Sequence, residues 1–183
     1  MINRKAFFAG VRSGPFPGKL SAGQVNGMSA ILDEWERRKL TDPRWLAYML
    51  ATVFHECAQT MQPITETGGP RYLKSKKYYP WYGRGFVQLT WKYNYEAMNK
   101  LLKAAGFDAD IVADPEIAKR LDVATFIMFE GMIRGTFTGK KLANYFNATT
   151  NDPRNARRII NGTDRMDHIA AIHKQFLADL LTA

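Results

Sequence analysis

Apolar residues recur along this chain at helical spacing in four runs, and the period vanishes between residues 62 and 91. Ser21-Ala-Gly-Gln24 opens the first run as a capping box, with serine and glutamine each able to satisfy an orphan amide of the other. The helix it starts is expected to reach about Lys39 and to bury Val25, Met28, Ile31, Leu32 and Trp35. Asp42-Pro43 supplies an N-cap followed by proline at the first helical position. From there Trp45, Met49 and Val53, with Leu46, Leu50 and Phe54, repeat at helical spacing until Pro63 stops the run. Asp114-Pro115 repeats the same start signal, and the pattern predicts one helix from it through Phe126, Ile127, Met128 and Phe129. A last helix is predicted over residues 165–181, with Ile169, Ile172, Phe176, Leu177 and Leu180 facing inward.

Residues 62–91 read differently. Pro63, Pro70 and Pro80, with Gly68-Gly69, Gly83 and Gly85, break any helical period and favour a loop carrying a small β-hairpin. A mainly α domain with a small β lobe leaves a cleft between the two, where ligands commonly sit. No linker composition interrupts residues 1–183, so a single domain is expected.

Composition narrows the function classes modestly. The chain has 183 residues, 46% hydrophobic and 23% charged, which suits one well-packed domain. Its single cysteine excludes an internal disulfide. No apolar run is long enough to span a bilayer, and Ala6-Phe7-Phe8-Ala9 is too short for a signal core. Synthesis in the cytoplasm without an export signal is therefore expected. A net charge of +9 favours a polyanionic partner such as an anionic cell envelope or nucleic acid, but the basic residues are spread out and select neither.

The chemistry concentrates around the aperiodic segment. His55-Glu56 lies on the second helix, with Glu56 three and seven residues beyond Val53 and Met49, beside the apolar stripe. A carboxyl group there is partly desolvated, which favours its neutral form and suits a general acid. Glu66 is the only other carboxylate before Glu96. Flanked by Thr65 and Thr67, it reads either as a turn residue or as an ionised base. Cleavage of a glycosidic bond needs such a pair, one acid for the leaving oxygen and one base or stabiliser on the opposite face. Arg84, bracketed by Gly83 and Gly85, can pair with a carboxylate of the site or merely fill a turn. If residues 86–91 begin extended, Gln88 and Thr90 share one face, able to bond a sugar amide or orient water. Tyr79, Trp81, Tyr82 and Tyr93 offer stacking surfaces, although aromatics more often serve a core.

His55-Glu56 followed by Tyr82-Gly-Arg-Gly-Phe-Val-Gln-Leu-Thr-Trp-Lys-Tyr-Asn-Tyr95 resembles the chitinase-like glycoside hydrolase family 19, most of all its phage endolysins. The likeness is specific over residues 48–95. It continues in order at Asp114-Pro115, Ala124-Thr125-Phe126 and Ile159-Ile160-Asn161-Gly162, and is loose over the first forty residues. The resemblance implies a lysozyme-superfamily fold, Glu56 as the general acid, and bacterial peptidoglycan or chitin as substrate. It implies a cleft lined by Gln88, Thr90 and Asn94, with Thr90 near the attacking water and Asn161 on the far wall. His55, Tyr82, Arg84 and Tyr93 complete the expected substrate-binding set. Two departures stand out. The plant-type family carries its second acid farther along the chain than Glu66, and Cys57 stands where a threonine usually follows the glutamate. A phage lysin would act as a monomer and reach the wall through a lesion made by a holin-type partner.

Other chemistries find less support. Cys57 and His55 lie two apart on a helix and point to different faces, so a cysteine hydrolase would need His168 or His173, which sit in no supporting motif. A zinc hydrolase lacks its second histidine, since position 59 is Gln59. No metal or cofactor is expected. A non-enzymatic basic module for cell wall or nucleic acid would use the charge and the aromatics and ignore both carboxylates.

Overall fold

The computed structural model describes residues 1–183 and is mainly helical. Seven α-helices run in order: α1 (Arg4–Ser13), α2 (Ala22–Arg37), α3 (Pro43–Glu56), α4 (Gly69–Lys74), α5 (Lys92–Ala104), α6 (Leu121–Arg134) and α7 (Met166–Leu181). Two short strands, β1 (Ile64–Thr65) and β2 (Arg84–Gly85), flank α4 and pair antiparallel, Ile64 opposite Gly85 and Thr65 opposite Arg84. No helix is long and apolar enough to cross a membrane.

The caps read from the sequence are present. Ser21 accepts from the Gln24 amide while the Gln24 side chain accepts from the Ser21 amide, so α2 starts in a closed capping box. Asp42 accepts from the Arg44 amide and Pro43 begins α3. Every residue of α3 from Leu46 to Phe54 is buried, as is every residue of α6 from Val123 to Met132. A helix apolar on all sides belongs at the centre of a fold rather than on its surface. Accordingly α7 and α2 pack on α3, α2 and α5 pack on α6, and α1 closes over α7. Arg38, which caps the end of α2, donates to Glu130 of α6 at 2.6 Å, an ion pair that Arg134 completes.

Three expectations change. Helix α3 ends at Glu56, well before Pro63, because Ala58, Gln59 and Met61 take positive φ values of 47°, 65° and 54°. The left-handed turn brings the Met61 carbonyl against α2, where a Cβ on Gly27 would lie 1.6 Å from its oxygen; only glycine fits there. The helix foreseen from Asp114 is two pieces. Pro115–Lys119 is a 3₁₀ turn capped by Asp114, Arg120 is extended, and α6 starts at Leu121. Inside the segment read as loop, α4 forms a short helix between the strands.

Candidate active site

Glu56 is the last residue of α3, at the end where the helix dipole disfavours an anion. A counter-charge meets it from across the molecule: Arg157 Nη1 donates to Glu56 Oε1 at 2.5 Å. Arg157 sits in the 3₁₀ turn Asn155–Ile159, its side chain 3% exposed, and its Nε donates to the Asp164 carbonyl at 2.9 Å. The Glu56 carboxylate is therefore gripped by a buried cation, not left in the purely apolar setting that its helix position predicted. Its Oε2 has no hydrogen-bond partner within the protein. Arg157 was not legible as a site residue; it lies 101 positions from Glu56 in a run of basic residues.

Glu66 follows β1 directly and is held by neutral donors. Tyr78 Oη donates to its Oε1 at 2.7 Å and the Gly83 amide donates to its Oε2 at 2.9 Å. Its own amide donates to the Gly83 carbonyl at 2.7 Å, which extends the hairpin by one pairing. Burial, and then the bond to Glu66, push the Tyr78 hydroxyl above its ordinary pKa, so it remains a donor.

Glu56 and Glu66 line one cleft of about 550 Å³ and are the only acids in its wall. Gln88, Thr90, Tyr93, Asn94 and Asn161 line it too, as the sequence led one to expect. The local conformation of 86–91 is not the extended one expected. Arg84 and Leu89 exchange backbone bonds at 3.2 and 2.9 Å, so the chain reverses over residues 85–88. Gln88 and Trp91 take φ values of 53° and 73°, a left-handed backbone that non-glycine residues rarely adopt outside constrained sites. The reversal still leaves Gln88 and Thr90 on the cleft, with Val87 and Leu89 lining its floor. Thr90 Oγ1 donates to the Gln88 carbonyl at 2.7 Å and Asn94 Nδ2 to the Thr90 carbonyl at 3.0 Å. The Thr90 hydroxyl keeps its lone pairs and Asn94 its Oδ1 for a ligand. Phe137, Thr138, Ile160 and Asn161, from later in the chain, complete the lining.

The aromatic lining is Tyr78, Trp91 and Tyr93. Trp91 and Tyr93 stack with centroids 6.3 Å apart and planes 19° apart, and Tyr78 meets Trp91 edge-on at 5.3 Å. Trp81 instead packs on buried Tyr95, and Tyr79 leans towards Tyr82 outside the cleft. Tyr78 and Trp91 were passed over as cleft aromatics, although each lies within two residues of one that was considered.

Three of the anticipated binding residues lie elsewhere. Arg84 is buried and pairs with neither cleft acid. Its Nε donates to Glu116 at 2.7 Å, its Nη1 to the carbonyls of Pro80 and Tyr82 and to Tyr95 Oη, and its guanidinium lies 3.7 Å over the Tyr82 ring. Both residues thus brace the hairpin against the 3₁₀ turn at 115–119, because the guanidinium finds four oxygen acceptors there through Nε and Nη1. His55 is half-buried beside His168, rings 5.8 Å apart, and burial lowers its pKa. None of the three lines the cleft.

Cys57 is fully buried, its thiol donating weakly towards the Gly85 and Phe86 carbonyls at 3.6 Å. Burial pushes that thiol up to about 12, the opposite of what a nucleophile requires. His55 and His168 approach each other, but no set of three His, Cys, Asp or Glu side chains comes together as a metal site.

Neither a family model nor a curated protein matches the sequence. Among solved structures, the chain superposes over 100% of its length on 77% of chitinase C from Streptomyces griseus HUT6037, with a TM-score of 0.67 and 21% identity. The fold is chitinase-like. At that level of identity the likeness establishes architecture, and it bears out the helical, lysozyme-like domain with a small hairpin that the sequence led one to expect.

Proposed function

We propose that this protein is a glycoside hydrolase that cleaves β-1,4 bonds in bacterial peptidoglycan. One observation carries the reading: two carboxylates, and no others, line a single cleft, one from the end of α3 and one from beside the hairpin, together with a stacked Trp91–Tyr93 pair. Glu56 protonates the leaving oxygen. The proton belongs on Oε2, since Oε1 is occupied by Arg157. Glu66, kept polar and hydrogen-bonded by Tyr78 and Gly83, takes a proton from the attacking water. Thr90 accepts a hydrogen bond from that water, while Gln88, Asn94 and Asn161 meet the N-acetyl groups. Trp91 and Tyr93 hold sugar faces by stacking.

Such an arrangement performs a single displacement with inversion, which requires a carboxyl separation of roughly 6.5–9.5 Å rather than about 5–5.5 Å. The freshly released sugar is then the α-anomer. Proton NMR of the first turnovers decides this, and a β-anomer or a glycosyl-enzyme trapped on Glu66 would overturn it. Mass spectrometry of fragments from purified peptidoglycan identifies the bond.

A chitinase acting on N-acetylglucosamine polymers is the second reading, favoured by the Streptomyces structural neighbour. Faster turnover of chitin oligomers than of peptidoglycan would establish it. A binding module without chemistry predicts that Glu56→Gln leaves wall lysis unchanged. The biological setting consistent with the first reading is a phage lysin, delivered to the wall with a holin-type partner and acting as a monomer.

A further inference from the structure

One side of the hairpin lobe stands apart from the rest of the surface. Between Glu66 and Glu96 the chain carries six basic residues and no acid. Arg84 is buried against Glu116, and Lys92 reaches Glu96 at 3.7 Å. Arg71, Lys74, Lys76 and Lys77 make no ion pair at all, although twelve of the other arginines and lysines in the chain do. Aromatic exposure concentrates in the same place. Four of the six exposed large hydrophobic side chains are Tyr72, Tyr79, Trp91 and Tyr93, the other two being Met1 and Leu181 near the termini. Lys76, in the turn after α4, sits 3.8 Å over the Tyr72 ring on α4, which fixes a cation and an aromatic face together. Helix α4 begins three residues after Glu66, and Tyr78, just beyond it, already lines the cleft. Unpaired cations that flank a stacking surface and adjoin a glycan-sized cleft form a surface suited to a strand that carries both sugars and negative charge.

We propose that α4 and the turn after it form a secondary docking surface for the carboxylates of wall stem peptides, with Arg71, Lys74 and Lys77 as the anion contacts. This inference rests on the hydrolase reading and gives it a basis for choosing peptidoglycan over neutral chitin. A glycan strand lying along Trp91 and Tyr93 carries its peptides outwards, and the basic face of α4 receives them. The three cations are exposed, so replacing them leaves the fold intact.

The test is the triple variant Arg71→Gln/Lys74→Gln/Lys77→Gln, assayed beside the unaltered chain at low and high salt. Three substrates are needed: intact sacculi, sacculi stripped of peptides by an amidase, and sacculi freed of phosphate polymers. The variant is expected to lose roughly tenfold in KM on intact and phosphate-free sacculi, with kcat retained and with a shallower salt dependence. On peptide-stripped glycan it should match the unaltered chain. Equal losses on stripped and intact glycan, or no loss on either, would overturn the proposal. A loss that disappears only when phosphate is removed would overturn it in favour of a phosphate-bearing polymer. Pull-down on intact sacculi reads the same contacts without turnover. If the unaltered chain cuts no wall glycan, the hydrolase reading fails while this binding difference still scores the surface.

Discussion

The two walls of the cleft hold their carboxylates by opposite means. On the helical wall, Glu56 ends a fully buried helix and is clamped by the buried charge of Arg157. On the lobe wall, Glu66 follows a two-residue strand and is held by a hydroxyl and an amide, both neutral. A charged clamp under a packed core is rigid and costly to disturb. A neutral clamp in a small lobe orients its carboxylate while leaving it wet enough to exchange protons. The difference teaches that one cleft can fix two like groups through quite different neighbours, a buried cation for one and neutral donors for the other.

That contrast can be broken from either side. The largest effect should come from Glu56→Gln, which on the proposed mechanism removes the proton donor and should lower turnover by about a hundredfold or more. Helix position alone would leave its thermal transition unmoved. The Arg157 contact changes that expectation: the amide still accepts a hydrogen bond but not a charge, so about 1–3 kcal/mol of stability should be lost. Denaturant titration beside a wall-clearing assay reads both effects, and a folded variant with near-normal turnover would remove Glu56 from the mechanism. Glu66→Ala should be nearly as damaging to turnover but milder in stability, because it leaves only neutral donors unpaired. If it turns over normally, the base lies outside the cleft wall. Asp114 and Glu130, the natural substitutes, are occupied with the cap of the 3₁₀ turn and with Arg38 and Arg134.

The clamps themselves can be compared. Arg157→Gln should destabilise the fold by roughly 3–5 kcal/mol, the usual result of removing one partner from a buried pair. Tyr78→Phe should cost only about 1 kcal/mol of stability, read as a melting shift of roughly 2–4 °C beside a severalfold drop in kcat. Similar melting losses in both variants would mean that the two walls are equally stiff. The smallest effect on neutral turnover should come from His173, packed behind α3 on Tyr48 and Phe146. Burial lowers its pKa to about 4. Above pH 6.5 it is neutral both folded and unfolded; between 6.5 and 4 only the unfolded chain takes up the proton. Stability should therefore fall across that window, by roughly 1–3 kcal/mol, and level off below it. His173→Phe should flatten that slope in a series of denaturation curves.

Where the sequence was legible, a side chain announced the element. Ser21, Gln24 and Asp42 cap α2 and α3 as their types demand, and the spacing from Ile169 to Leu180 marks α7. Helices α1 and α5 were not foreseen. Tyr95, Met98 and Leu102 of α5 do keep a helical period, but its N-cap is Trp91, whose side chain caps nothing and whose φ is 73°. Helix α1 buries only Phe7 and Val11, too few positions to stand out. Within the site, contiguous residues such as Thr90 and Asn94 could be read together. Arg157 could not, because its meaning comes from a fold that brings Asn155–Ile159 against the end of α3. Arg84 misled for the same reason: flanking glycines show that a side chain is constrained, not which carboxylate it will find.

Cys57 gives the molecule an internal clock. It is the only thiol in the chain, and its sulfur lies between the end of α3 and the Gly85 and Phe86 carbonyls of the lobe. A reagent can reach it only when the packing around it opens, so the labelling rate measures how often this junction of α3 with the lobe comes apart. A tightly bound glycan strand that holds α3 and the lobe together would slow that clock, and the slowing would report occupancy of the cleft as a single number.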